Sequence, residues 1–389
     1  MLQYGAIGIQ SDAWTCYKRD DYKRNLDRLA FNIARAVRYA KLDIPVRLVT
    51  LAEGALGGWA SWAGGKQEHL KAYEELVPEI PGVETDFLGQ LCKEGNFYLI
   101  GQMQAKDPEF IENRIFNIAF IIDPKGKIIH KHYKTMCVTL EPMTEPIDVW
   151  DRYIEKYGDD PIKLSEAIWP VARTEIGNIG TLICAEGSYP EAARGLAFNG
   201  AEIIWRSEYL EPWLSNGMFE IQNRSIAVFN TCYVITPHLS EIFGYRGADA
   251  SAEISENYKI SWGQSRMYDY RGNLISQCLG TGQTYVNGII DVDGLRDYRV
   301  RGLWVNFVKD LRIEEYKIIY DAMMAKGGMY PKNLCMEEPP LTEADREEIC
   351  RHNVNRAVEL GIYTPPPDWK PFVVKKDVLN RIKKARERG

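Results

Sequence analysis

The chain has 389 residues, 45% of them hydrophobic and 26% charged, and a formal net charge of −6. This length supports a sizeable core in one large or two ordinary domains, and this balance excludes wholesale disorder, a collagen-like fibre and a disulfide-stapled miniprotein. The negative charge offers no global basic field to nucleic acid or an anionic membrane, and no apolar run approaches the ~20 residues that span a bilayer.

Read in chain order, strands and helices alternate. Gln3 to Gln10 is a β-like run, and Leu26, Leu29, Ala30, Ile33, Ala36 and Val37 then recur at the spacing of one helix face. Val46 to Leu51 reads as a buried strand, followed by a Gly- and Trp-rich loop over Gly54 to Gly65. A helix is expected over Glu84 to Glu94, closed by Gly95, then a strand from Phe97 to Met103. Ile115 to Asp123 and Lys127 to Tyr133 flank Pro124-Lys125-Gly126, a hairpin turn. Leu140 to Leu164 carries prolines, acids and aromatics with little period and reads as an insertion.

Regularity returns with a second hairpin, Ile168 to Thr174 and Ile179 to Ile183, turning near Gly177. A helix after Pro190, a strand over Glu202 to Arg206, a helix over Met218 to Asn230 and a strand over Cys232 to Thr236 follow. Met267 to Gln277 is a third hairpin about Arg271-Gly272-Asn273, and Val286 to Val292 is the last clear strand. Hairpins mixed with strand–helix units argue for α/β layers with mixed sheets. Beyond Arg301 the pattern turns helical with Pro-rich breaks, and no separate core can be read in it. Apolar Trp304, Phe307, Val308, Leu311, Ile318 and Ile319 there suggest an oligomerisation arm. The expected organisation is therefore 1–300 as one domain and 301–389 as an extension. Eight cysteines with no CxxC pair, and a start at Met1 that runs straight into strand-like sequence, lead us to expect a reduced, cytoplasmic protein.

The sharpest local feature is Leu182-Ile183-Cys184-Ala185-Glu186-Gly187-Ser188-Tyr189-Pro190-Glu191. An apolar strand stops at a cysteine, a small residue and a glycine permit a tight turn, and Pro190 suits the start of a helix. A nucleophile wants this placement, because a rigid strand positions it and neighbouring backbone N–H groups can bind an oxyanion. A buried core cysteine would look the same. A thiol at its free pKa of ~8.5 needs a base or a cation beside it. His238 is one candidate; Glu53, at the end of one β run, and Lys134, at the end of another, are the alternative.

Glu53, Lys134 and Cys184, in this order and each at a strand end, resemble the Glu–Lys–Cys triad of the nitrilase superfamily of carbon–nitrogen hydrolases. The resemblance runs from about Gln3 to Arg301. It includes Asn117 in Arg114-Ile115-Phe116-Asn117, the Gly126-Lys127-Ile128 turn, Gly200 to Ile204, Asn230 to Val234, Tyr268 to Asn273 and Ile289 to Asp293. Cys184-Ala185-Glu186-Gly187-Ser188-Tyr189-Pro190-Glu191 looks most like the aliphatic amidase and formamidase branch. True nitrilases carry Trp where Ala185 stands, and N-carbamoyl amino-acid hydrolases carry Arg near Gly187 and Ser188. The chain departs from the family in having Ala52 before Glu53, and in a longer stretch between Lys134 and Cys184. The family's second glutamate falls there, at Glu141 by spacing or at Glu145.

The resemblance implies an αββα four-layer sandwich of the nitrilase type, doubled across a dimer interface, with a helical C-terminal extension. It implies hydrolysis of a small carboxamide through a Cys184 thioester, with Glu53 as base, Lys134 and the Ala185 N–H on the oxyanion, and no metal or organic cofactor. Nitrile or N-carbamoyl hydrolysis on the same residues, or a non-catalytic scaffold, are the rival expectations. Expected partners are a small amide and further copies of the chain, with neither nucleic acid nor membrane. Trp59, Trp62, Trp205, Tyr209 and Trp213 crowd the expected site, alongside Glu186 and Tyr189, and suit a narrow pocket or equally core and interface packing. Arg206 would bind a substrate carboxylate, or pair with Glu208 or Glu186. Trp59 and Trp62, in the glycine-rich loop after Glu53, suit a closing lid.

Overall fold

The period-2 runs become β1 (Gln3–Gln10), β3 (Val46–Thr50), β4 (Tyr98–Lys106), β5 (Ile115–Ile122) and β6 (Ile128–Tyr133) in the first half of the chain, with a short β2 (Ala13–Trp14). The 3.6-residue patterns between them become α1 (Asp21–Ala40) and α2 (Val83–Gly95). The computed structural model describes residues 2–58, 75–138, 141, 143–208, 217–244, 259–261, 263–302, 304, 306–338 and 341–388. After α3 (Trp150–Tyr157) and α4 (Pro161–Ile168) come β7 (Val171–Thr174), β8 (Gly177–Ile183), α5 (Pro190–Phe198), β9 (Ile203–Ser207), α6 (Met218–Asn230) and β10 (Tyr233–Thr236). β11 (Glu241–Phe243), β12 (Lys259–Ser261), β13 (Arg266–Tyr268), β14 (Leu274–Gln277), β15 (Thr284–Asp291) and α7 (Val292–Arg301) complete the layered part. Helices α8 (Ile313–Ala325), α9 (Glu343–Glu359) and α10 (Lys376–Arg388) follow.

One sheet has the order β15-β1-β3-β4-β5-β6 and the second β14-β13-β10-β9-β8-β7. Both mix parallel and antiparallel pairs: β1 lies parallel to β3 and antiparallel to β15, and β9 lies parallel to β8 and β10. Alternation along β5 shows how the layers form. Ala119 and Ile121 join the cluster between the sheets, with Ile179, Ile183, Ile203 and Ile235 of the second sheet. Ile118, Phe120 and Ile122 face the opposite way, towards Leu29 and Ile33 of α1 and Leu88 of α2. On the far side, Leu182, Ile204 and Val234 pack against Ala193 and Leu196 of α5 and Ile226 of α6. The order is therefore helix, sheet, sheet, helix, the four-layer sandwich expected from the sequence. Side chains such as Phe120 and Ile121 are fully buried, each contributing about 1.5–3 kcal/mol.

One local expectation needs correction, and two regions hold structure that carries no sequence period. Helix α2 ends on Asn96 in the left-handed region (φ 52°), while Gly95 is a glycine because any Cβ there would meet the Phe97 ring at 2.0 Å. The stretch after Leu140 is not without regular structure. It holds a single turn at Pro146–Val149 and the helices α3 and α4. Elements of eight residues are too short to display a period. A third sheet, β12-β11-β2, has strands of two or three residues and shows no alternation for the same reason.

The extension does have a core of its own: Leu334, Cys335, Leu341, Ile349, Val378, Ile382 and Ala385 are buried together. These residues come from separated segments, so no local window reveals them. Helix α8, by contrast, buries none of its residues, and Ile318 and Ile319 are 66% and 63% exposed. Among the described residues no helix is long and apolar enough to cross a membrane.

Candidate active site

Three strands of the two sheets end beside one another and deliver the three candidate residues. Glu53 comes three residues after β3, Lys134 directly follows β6, and Cys184 directly follows β8. The sheets are stitched together at this point. The Glu53 N–H donates to Ser207 Oγ at 2.7 Å, and the Ser207 hydroxyl donates to the Pro237 carbonyl at 2.6 Å. The Trp205 indole N–H donates to the Leu51 carbonyl at 3.0 Å.

Lys134 lies between two carboxylates. Its Nζ is 2.8 and 2.7 Å from the two oxygens of Glu141 and 3.5 Å from Oε1 of Glu53. All three side chains are buried. Asn117, on β5, spends its amide N–H groups on both acids, reaching Glu53 Oε1 and Glu141 Oε1 at 3.1 Å each. Gln102, on β4, fixes that amide by donating to Asn117 Oδ1 at 2.5 Å while accepting from the Gly54 N–H at 2.8 Å. Of the two candidate second glutamates, Glu141 is the one that meets Lys134. Glu145 accepts instead from the Cys137 N–H and from Arg346.

Cys184 opens a single tight turn, Cys184–Ser188, before Pro190 begins α5. Its backbone sits in the left-handed region (φ 53°), an arrangement that costs a non-glycine residue about 1 kcal/mol or more and has to be held by its surroundings. The restraints are visible. Both Glu186 oxygens point inward, accepting from the Ile183 N–H at 2.7 Å and from the Thr135 N–H and hydroxyl at 2.7 and 2.6 Å, with His132 Nε2 at 2.9 Å. Arg206 donates from Nε and Nη2 to the Cys184 carbonyl at 3.2 and 3.1 Å. The guanidinium passes so close to Gly187 that a Cβ there would lie 1.9 Å from Arg206 Nε. Gly187→Ala is therefore expected to displace Arg206 and loosen the turn, at a cost of about 1–3 kcal/mol for the overpacking, read as a lowered urea midpoint. Unchanged stability would show that the turn is not packed as described.

Charge in this site is set by burial and neighbours. Burial works against the Lys134 cation, yet Cys184 once it ionises, and the Glu141 and Glu53 carboxylates, hold its pKa well above the ordinary lysine value. Burial pushes the Cys184 thiol up, Glu53 adds to this, and the Lys134 charge opposes it without prevailing. The resting site thus pairs an ammonium with a neutral thiol. Burial also acts to raise Glu186, but His132, Thr135 and the Ile183 N–H outweigh it and hold that carboxyl below its usual range.

The structure places the remaining sequence candidates differently. Trp205 is fully buried between the sheets, and Arg206 is fully buried with partners in Cys184, Asn223 and an ion pair to Glu208. Arg206 and Glu186 brace the Cys184 turn, and Trp205 ties the two sheets through Leu51; for Trp205 and Arg206 these are the packing and ion-pair alternatives to substrate binding. Ala185 is buried directly after Cys184. Tyr189 is half exposed and lines a cavity of about 820 Å³ between the turn, the insertion and α9, whose walls include Trp150, Trp169 and Ile349. Trp59, Trp62, Tyr209 and Trp213 lie outside the described residues, and the lid expectation with them. His238 is not a partner for the thiol: it bonds the Gly263 carbonyl through Nδ1, packs at a tilt against the Phe219 ring, and burial lowers its pKa to about 3. Gln102 and Ser207 escaped the sequence reading, although a glutamine inside the apolar run Leu99 to Met103 is itself a mark of a buried polar task.

Comparison with known proteins agrees with this architecture. A formamidase of Bacillus cereus is 32% identical over 180 residues, covering 45% of this chain and 46% of that protein; the match thus spans less than half the length of such relatives. A carbon–nitrogen hydrolase from Helicobacter pylori superposes with a TM-score of 0.58 at 18% identity, over 82% of this chain and 98% of the other. Saccharomyces cerevisiae Nit3, of branch 10 of the nitrilase superfamily, gives 0.56 at 19% identity, over 78% and 96%. An amidase from Nesterenkonia sp. gives 0.53 at 15%, over 81% and 96%. The family model for carbon–nitrogen hydrolases matches residues 5–300. With that match over most of its length, and with the four-layer fold that its solved relatives share, the chain belongs to the carbon–nitrogen hydrolase family.

Proposed function

We propose that this protein hydrolyses a small carboxamide to a carboxylic acid and ammonia or an amine, with Cys184 as nucleophile. The observation that carries the reading is the Lys134 ammonium held between Glu53 and Glu141, at a strand end beside Cys184. Because the thiol rests neutral, its proton passes to Glu53 as sulfur attacks the carbonyl carbon. The carbonyl π-electrons move onto oxygen, and the Lys134 charge with the Ala185 N–H stabilises that oxyanion. Glu53 returns the proton to nitrogen, the C–N bond breaks and the amine leaves, so that Cys184 carries a thioester. Water then gives its proton to Glu53 and attacks the thioester. The C–S bond breaks, the acid leaves, and the proton returns to sulfur. Glu141 keeps the Lys134 ammonium aimed, with the Asn117 amide bridging both acids.

The relatives named formamidase and amidase support amides over other carbon–nitrogen substrates. Formamide, acetamide, propionamide, the matching nitriles and an N-carbamoyl amino acid should be compared by ammonia release. Turnover of the amides with the nitriles inert is the expected result. Preferential turnover of nitriles or carbamoyl compounds would replace this reading, and no turnover of any class would favour a scaffold.

A further inference from the structure

We propose that Arg346, on helix α9 of the C-terminal extension, is a positioning residue that holds residues 135–138, 141 and 143–145 in the arrangement in which Glu141 meets Lys134. The inference rests on the amide-hydrolase reading for its kinetic consequence and on geometry alone for its structural one.

Glu141 does not sit on a strand. It belongs to the segment after β6, which must turn back for its carboxylate to reach Nζ of Lys134 only seven residues earlier. Among its described residues no strand ladder fixes it, so their placement depends on other ties, side-chain ones above all. Near its start, Thr135 is tied to Glu186. In the middle, the Val138 N–H donates to Glu141 Oε2 at 2.9 Å and the Glu141 N–H to the Val138 carbonyl at 3.0 Å. At its far end, the Thr144 N–H donates to the Ile115 carbonyl at 2.8 Å, and Glu145 Oε1 accepts from the Cys137 N–H at 2.7 Å, closing the loop on itself.

That closing carboxylate is held from 201 residues away. Arg346 donates from Nη1 to Glu145 Oε1 at 2.9 Å and from Nη2 to the Met143 carbonyl at 2.5 Å, with Asp148 Oδ2 at 3.6 Å. Arg346, Glu145 and Asp148 are all buried. Without the cation, two acids three residues apart would share a water-poor site with only the Tyr330 hydroxyl, the Glu145 and Cys137 N–H groups and the more distant Arg381 charge to offset them. The guanidinium fork is suited to this task, since it can serve a carboxylate and a carbonyl together in fixed geometry.

The platform beneath Arg346 is rigid. Thr342 caps α9 by accepting from the Asp345 N–H, and Asp345 returns the bond by accepting from the Thr342 N–H. Leu341 and Ile349 pack in the extension's own core against Val378 and Ile382 of α10. A second tie runs alongside. The Asn333 N–H donates to the Ile147 carbonyl at 2.8 Å, the Cys335 N–H donates to the Asp148 carbonyl at 3.1 Å, and Arg114, just before β5, donates to the Cys335 carbonyl at 2.6 Å. The extension is thus a clasp on the loop that carries Glu141, within the same chain.

The test uses the full chain with Arg346→Met, Arg346→Lys and Asn355→Ala. The last releases Phe372 inside the extension without touching the clasp. Amide hydrogen exchange over residues 135–145 and kcat and KM for the best amide are measured on each. Arg346→Met is expected to speed exchange across 135–145 while 118–122 stay protected, and to lower kcat about 10–100-fold, the scale of a small misplacement near the chemistry. KM should change little, because an interaction of the transition state is lost. Arg346→Lys should recover part of kcat, and Asn355→Ala should match the unaltered protein. Should the methionine variant not fold, the lysine variant alone decides, through faster exchange and lower kcat. Exchange over 135–145 that is unaltered by either Arg346 variant, or an undiminished kcat, overturns the proposal. An unaltered protein that turns over no amide sinks the activity reading instead, and the exchange data still decide the clasp.

Discussion

Cys184→Ala is expected to abolish amide turnover, by at least about 10⁴-fold in kcat, as loss of a covalent nucleophile does elsewhere. The expectation follows from placement as well as chemistry. The residue closes a rigid strand, adopts a left-handed backbone (φ 53°), and is held there by Glu186 and Arg206, neither of which depends on the sulfur. Alanine should therefore leave the turn and the fold in place, so that near-UV circular dichroism matches the unaltered protein while ammonia release disappears. Serine should fare no better, because a hydroxyl in the same position is harder to deprotonate and a poorer nucleophile. Substantial turnover by the alanine variant would end the proposal of thioester chemistry.

Removing Lys134 should have the second-largest effect and should damage two properties at once. Lys134→Met takes away the charge proposed to stabilise the oxyanion, and loss of even one such donor slows kcat by about 10²–10³-fold. It also takes the Lys134 charge away from two buried carboxylates, Glu53 and Glu141; breaking a buried ion pair from one side costs about 3–5 kcal/mol. The two losses can be separated. Adding Glu141→Gln to Lys134→Met removes one of those charges, and Asn117 can then bond the neutral amide and Glu53. Stability in urea should recover in the double variant while kcat stays low. Recovery of activity along with stability would mean that Lys134 serves the fold and not the reaction. A rise in KM with kcat unchanged would assign it to substrate binding.

Much of this site was legible before any tertiary contact was known, for a physical reason. A residue at the end of a buried strand has its position dictated by the strand, and strands announce themselves by short-range alternation. Glu53, Lys134 and Cys184 stand at or just beyond the ends of β3, β6 and β8, and the hairpins at Gly126, Gly177 and Gly272 were readable from their turn residues. Those local patterns also determined the layered α/β class. What they could not determine was which of two glutamates in an irregular loop faces the lysine. Glu141 and Glu145 have similar local surroundings, and the choice is made by Asn117 on one side and by Arg346, 201 residues downstream, on the other. Nor could a strand-end tryptophan and arginine reveal their partners. In the sequence Trp205 and Arg206 suit a pocket and internal packing equally, and the packing of one sheet on the other turns the indole to Leu51 and the guanidinium to Glu208 and the carbonyl of Cys184. The extension's core likewise assembles Leu334, Ile349 and Ile382 from separate segments. Position along a strand is encoded by neighbours in the chain; the partner of a buried charge is decided by neighbours in space, which only the folded chain brings together.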